Sequence, residues 1–504
     1  MTKRIIALVC ALFVLLPAVV SCANTVDPEV SGENQQTQAP GGNSATTSTP
    51  AATEAEETGY PAPELKDLGG YVYRSLLATN SMWGPVFFSE NGEDGTIIND
   101  ALYRREAFIE EKYNVQLEYI VDSKADTTLA NHIGSGTDLC EAVYLSGTNT
   151  MAAAKSGLVL DVKTLSGLEL DKPWWDQRIQ EEYLIGNRLF TLEGDMSMLD
   201  ELRTICVVFN KNLYSNYNYN TLYGSLYDLV DNGEWTLELM LKMIEGLTTD
   251  PTSETGMWGM LSEVSAPYYF FLGMGEKTLT NQNGEFTVNI GAESVATTLQ
   301  YTMELVKNPD VMIVNNGVWF GNNDVWNNAT ATFKSGRVLF RSNALSSVNG
   351  LMDMADDYGI LPVPNRGDSD EYYCYVSGGN HYPLSFPSNL ADIENAMTIT
   401  EAITYFSRYT LNESNISLRD AFYYQLADYR LARSPEDTRM LDIFFDSKTF
   451  DVDQCAKITG LESSIWALAK AGNTEGVAST ITSTSKTASK SLKSFLTSLD
   501  KHYD

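Results

Sequence analysis

The stretch from Gly70 to Val121 reads as strand, helix, strand, and no other part of the chain limits the fold so tightly. Gly70-Tyr71-Val72-Tyr73-Arg74-Ser75-Leu76-Leu77 suits a buried strand. Ala101, Leu102, Phe108, Ile109 and Tyr113 then fall on one helical face. Asn114 can adopt the left-handed conformation that ends a helix, and Val115-Gln116-Leu117-Glu118-Tyr119-Ile120-Val121 follows as a second strand. Two parallel strands joined through a helix require a right-handed crossover and a sheet covered by helices. Val143-Tyr144-Leu145 adds a third strand, ending in the polar turn Ser146-Gly147-Thr148-Asn149. Ligands of open α/β sheets sit beyond the carboxyl ends of strands, so the loops at 78–88 and 146–150 are expected to face one.

About 440 of the 504 residues lie beyond residue 61, more than one hydrophobic core serves, and two lobes are expected. Strands are expected at Arg188-Leu189-Phe190-Thr191-Leu192 and Thr204-Ile205-Cys206-Val207-Val208-Phe209, bracketing Glu193-Gly194-Asp195-Met196-Ser197. Two more runs, Phe333-Lys334-Ser335-Gly336-Arg337-Val338-Leu339-Phe340 and Tyr358-Gly359-Ile360-Leu361-Pro362-Val363-Pro364, come later. Past residue 391 the pattern is mostly helical.

The N-terminus has a different character. Lys3 and Arg4 precede an uncharged, largely apolar run over 5–20, which is short for a membrane span and contains Pro17. Val19-Val20-Ser21-Cys22 resembles the lipobox of bacterial lipoproteins. That resemblance implies a signal peptide over 1–21, lipidation of Cys22 and anchoring at the extracellular face of the cell membrane. Two acyl chains suffice for stable anchoring. Residues 22–61 carry no Lys or Arg and no aromatic before Tyr60, and they are rich in Ser, Thr, Gly, Pro and Gln. Such a segment cannot offset its conformational entropy by burial and reads as a disordered tether.

Several segments, taken in order, resemble extracellular solute-binding proteins of ABC importers, of the large sugar-type class in clostridial-type bacteria. They are Asn99-Asp100-Ala101-Leu102-Tyr103 through Val115, Trp174-Trp175-Asp176, Gly186 through Phe190, Glu193 through Ser197, Phe209-Asn210-Lys211-Asn212-Leu213, Gly233-Glu234-Trp235-Thr236-Leu237, and the runs ending at Phe340 and Pro364. The resemblance implies an α/β, two-lobed type II periplasmic-binding-protein fold with a helical C-terminal region. Lobe one would hold 62–203 with a return segment over 377–408. Lobe two would hold 204–376 with C-terminal helices over 409–504. It further implies a monomer that captures a small ligand, most simply a carbohydrate, and delivers it to ABC permease subunits. The alternative is a surface lipoprotein that binds or hydrolyses glycans without import.

The chemistry of the residues fits binding better than catalysis. His132, His381 and His502 belong to no H-E-x-x-H motif or metal pair, and G-x-S-x-G and phosphate-loop motifs are absent. No catalytic residue, metal site or cofactor is expected. The loop at 250–256 contains Pro251 and Thr252 where some relatives carry an acidic calcium ladder, so no calcium is expected there. The formal charge of −32 argues against nucleic acid as a partner. Cys140, Cys206, Cys374 and Cys455 lie far apart, which suits buried thiols, although two disulfides remain open.

Sugars offer hydroxyls around a ring and apolar patches above and below it, which polar side chains and aromatic faces recognise respectively. The candidate ligand-binding residues are Trp83 in the loop after the first strand, Asp195 and Ser197 at the crossing, and Tyr268 at a helix start. Arg341 and Asn343 complete the set, placed just past a strand expected to end at residue 340. Ser197 is also a natural turn cap. Arg341-Ser342-Asn343 stands where maltose-type relatives carry a stacking aromatic, which argues against a maltodextrin-like ligand.

Overall fold

The structure, a computed structural model, describes residues 60–78, 87–89, 92–250, 255–314, 325–379, 381–411, 415–428 and 434–503. The leader, Cys22, nearly all of the tether, Trp83 and residues 251–254 lie outside the described residues.

Nine strands make up two sheets: β1 (Tyr71–Leu77), β2 (Val115–Val121), β3 (Ala142–Tyr144), β4 (Ile205–Asn210), β5 (Trp258–Ser262), β6 (Val311–Ile313), β7 (Val338–Ala344), β8 (Tyr358–Leu361) and β9 (Leu384–Ser385). The first sheet has the order β9-β3-β1-β2 and the second β8-β4-β7-β5-β6. β1 and β2 are parallel with Tyr71 opposite Val115, joined through helix α1 (Ile97–Tyr113). Its buried face includes Ala101, Leu102, Ile109 and Tyr113. Asn114 ends it at φ 49° and ψ 58°, with its N–H donating to the Glu110 carbonyl. An amide side chain tolerates this conformation better than most, so the sequence reading of this unit holds in register. The turn at 146–149 is instead the start of helix α2 (Gly147–Lys155), where the Ser146 hydroxyl accepts from the Asn149 N–H. A serine followed by a small, Ala-rich run is a helix start as much as a loop.

The second sheet is mixed. β4 runs antiparallel to β7 and β8, while β5 is parallel to β6 and β7. Three segments lie side by side where the chain passes between the two sheets. Thr204 bridges Val376, and Cys374–Tyr375 pairs in parallel with Lys448–Thr449. Backbone bonds from Ser377 N–H to the Arg203 carbonyl and from Val376 N–H to the Thr449 carbonyl knit them together. The fold is thus α/β and two-lobed.

Helix α3 (Ala266–Gly273) packs in the second lobe and α4 (Ile393–Arg408) in the first, on β1 and α1. Beyond them, α5 (Leu418–Asp428) packs on α1 and α4, and α6 (Pro435–Asp446) on β8. The last helix, α7 (Val477–Tyr503), touches both α2 and the second-lobe helix Glu293–Lys307. The reason is amphipathic patterning along its length: Val477, Ile481, Ala488, Leu492, Phe495 and Leu499 are all buried. At its end the Tyr503 hydroxyl donates to the Val159 carbonyl. Cys140, Cys206, Cys374 and Cys455 are buried free thiols.

Candidate ligand-binding site

A cavity of about 780 Å³ opens beside the crossing segments. It is built from the middle and end of β7, the start of β4, the first turn of α3 and the crossing residues 375–379. The size suits a small ligand of a few rings. Among the described residues its aromatic lining is tyrosine, from Tyr268, Tyr269 and Tyr375. Most of the remaining wall is polar, with serine and amide side chains such as Ser265, Ser347, Asn327, Asn343 and Gln454.

Arg341 is the unusual member. It sits in the ladder of β7, opposite Val208 of β4 and Leu261 of β5, and only 3 % of it is exposed. Its guanidinium donates to no described residue, and Nη1 is inaccessible and unpartnered among them. Burial pulls its pKa down to about 10, against a partial opposing pull from Cys206 and Glu263. Arg203 lines the same cavity from the crossing, 3.4 Å from the Ser346 hydroxyl, and burial likewise lowers its pKa. Glu263, half-buried at the carboxyl end of β5, is pushed up to about 7 by desolvation despite the two nearby guanidiniums.

The tyrosines are more committed. The Tyr268 hydroxyl donates to Asp451 at 2.7 Å. That of Tyr269 sits 3.1 Å from Ser342 Oγ and 3.3 Å from Ser262 Oγ, and the Tyr375 hydroxyl accepts from the Gly378 N–H at 3.0 Å. These side chains are held in place by their polar ends, and all three residues line the cavity. Asn343 turns its Oδ1 to the Ala344 N–H at 2.7 Å.

Of the residues expected to meet in the cleft, Tyr268, Arg341 and Asn343 share this cavity. The positional reason given for the last two needs correcting. β7 does not stop at residue 340 but runs to Ala344, because β4 extends along it as an antiparallel partner from Phe209 to Ile205. Arg341 and Asn343 are therefore strand residues, and β-alternation puts both on one face with Leu339. Asp195 lies elsewhere. It faces a second cavity of about 350 Å³ with Trp174, Arg419 and Lys448, and its carboxylate accepts from Arg408 Nη1 at 3.0 Å. A salt-bridged carboxylate in that position orders helix α4 against the crossing. Ser197 is buried and caps a turn, its hydroxyl accepting from the Leu199 N–H at 3.2 Å. Trp83 lies outside the described residues.

Arg203, Glu263 and Tyr375 were not anticipated. Glu263 directly follows a parallel strand, the placement that marks ligand residues in open sheets, so it was within reach. Arg203 and Tyr375 depend on the crossing segments lying side by side, which no local pattern encodes. Trp174 and Trp175 are buried and both indole N–H groups donate to Glu401, at 2.7 and 3.1 Å. Trp235 donates to the Pro362 carbonyl. His381 is fully buried with Nδ1 3.3 Å from the Ser377 carbonyl, an interior histidine of the crossing.

No protein-family model matches the chain, and no curated protein matches it. Among solved structures it is similar to a cyclo/maltodextrin-binding protein complexed with maltotetraose, with a TM-score of 0.53 at 13% identity, over 85% of this chain and 96% of that one. At that identity the likeness is one of fold.

Proposed function

We propose that this chain is a solute-binding protein that captures a carbohydrate in the cavity beside Arg341 and hands it to an ABC permease. The observation that carries the reading is the cavity itself: a polar space lined by three tyrosines, sized for a few sugar rings, beside the three segments that connect two lobes. Hydroxyl-rich ligands need this mixture of hydrogen-bonding groups and ring faces. The fold likeness to a sugar-binding protein supports it, as does the order of sequence segments resembling the sugar-type importer class. Closure of two lobes on the ligand would supply the signal that a permease reads. The Val19-Val20-Ser21-Cys22 run supports a lipid anchor on the outer face of the membrane.

The test is a melting-temperature screen of the purified chain, lacking its leader, against a panel of neutral and acidic oligosaccharides. A binder at 100 times its dissociation constant stabilises the fold by about 2.7 kcal/mol. Upward shifts confined to oligosaccharides, with the sugars recovered intact, support capture. Cleaved products would instead support a surface glycoside hydrolase, and no shift from any glycan would remove the carbohydrate reading.

A further inference from the structure

We infer that the ligand carries an anionic group, and that this group seats on the guanidinium of Arg341, with Arg203 beside it. The inference rests on the carbohydrate reading above and narrows it to acidic sugars.

A guanidinium is always charged at physiological pH and offers five N–H donors. Withdrawing one from water without pairing it costs several kcal/mol, and such groups are therefore almost always paired in native interiors. Arg341 breaks that rule: only 3 % of it is exposed, yet its guanidinium forms no hydrogen bond with a described residue and its Nη1 is buried without a partner among them. The Arg105 side chain shows what this chain does with a purely structural buried arginine. Its nitrogens reach the Met196 carbonyl, the Ser407 hydroxyl and the Phe87 carbonyl at 2.8 to 3.1 Å. Arg341 has no such set and lines the cavity instead.

Nearby charge does not satisfy it. Glu263 forms no ion pair with Arg341 among the described residues, and desolvation holds its carboxyl partly protonated near neutral pH. Glu462, the other carboxylate of the lining, pairs with Lys457 at 3.5 Å, and Arg203 adds a second positive group on the same wall. The chain as a whole carries −32, so an anion is not gathered by the overall field; a local pair of cations inside an acidic protein is selective for an anion already held by other contacts. The polar lining and the size of the cavity supply those contacts and exceed what a bare inorganic anion fills. Carboxylate, sulfate and phosphate are the groups a guanidinium fork recognises, so the class is a uronate, sulfated or phosphorylated sugar.

Calorimetric titration distinguishes the sources. The probes are trigalacturonate, its fully methyl-esterified counterpart, a sulfated disaccharide, a hexose phosphate, neutral oligosaccharides, and inorganic phosphate and sulfate alone. At least one acidic sugar is expected to bind ten times or more tightly than its neutral counterpart. Arg341→Gln should lose most of that preference and Arg341→Lys should retain part of it. Without ligand, Arg341→Met should melt at an equal or higher temperature, because it removes an unpaired buried charge. A large drop in its melting temperature would assign Arg341 a structural role and overturn the inference. Equal binding of neutral and acidic sugars, unchanged in Arg341→Gln, would overturn the inference and leave carbohydrate capture standing. Inorganic phosphate or sulfate binding as tightly as any sugar, or no sugar binding at all, would remove both.

Discussion

Individual residues near the crossing hold their charge states through burial as much as through partners. His381 is the clearest case. Desolvation pulls its pKa down to about 4 from an ordinary 6.5, although Asp200 pulls the other way. Its Nε2 has no partner among the described residues, and Glu193 Oε1 lies 3.9 Å away, also unpartnered. Between those two pH values the unfolded chain binds more protons at this position than the folded one, so the His381 contribution to stability rises with pH from about 4 to 6.5. Urea unfolding across that range should show a steeper rise for the natural chain than for His381→Asn. Identical slopes would mean that His381 does not titrate as its surroundings require. Lys448 behaves in the opposite manner: it has three carboxylates, Asp176, Asp200 and Glu201, within 3.1 Å, and these hold its pKa well above the usual range against burial.

Secondary elements explain both the success and the failure of sequence reading. The β1-α1-β2 unit was legible because helical spacing, a terminating asparagine and an apolar strand all agreed, and the register confirms them. The length of β7 was not legible. Arg341, Ser342 and Asn343 are polar, and they are strand because distant partners pair with them: β4, more than a hundred residues earlier, along all three, and β5 at Arg341. The hairpin formed by Leu279–Gln282 and Glu285–Val288 was missed for a related reason, since its worth lies in what it touches. Asn281 Nδ2 reaches the carbonyls of Glu181, Glu182 and Leu184, the shortest at 2.7 Å. At the turn, Gly284 sits so close to Gly186 that an added Cβ would lie 1.8 Å from its carbonyl oxygen. Asn281→Ala should therefore cost about 1–2 kcal/mol, within the range for buried acceptors losing a donor, read from a lowered urea midpoint. Gly284→Ala should lower it further by forcing the two loops apart. Unchanged midpoints in both variants would show that this contact contributes nothing to the fold.

Across the whole molecule, the candidate site was half legible. Tyr268, Arg341 and Asn343 converge on one cavity; the helix start expected at Tyr268 is present, whereas the strand end expected before Arg341 and Asn343 is not, because β7 runs on to Ala344. Asp195 and Ser197 were drawn away by local demands, a salt bridge to Arg408 and a turn cap, which a sequence presents in the same way as a ligand contact. Anchoring belongs to this scale too. Cys22→Ala should abolish labelling by a fatty-acid probe and release the chain or leave its leader uncut; label persisting on the variant would contradict lipidation at that position. The decisive measurement is a crystal structure of the chain with an oligosaccharide that raises its melting temperature. A sugar lying in the cavity, with oxygens about 2.7–3.2 Å from Arg341 and Asn343, is the predicted result. A sugar seated beside Asp195 and Arg408, or on the outer surface of either lobe, would contradict it.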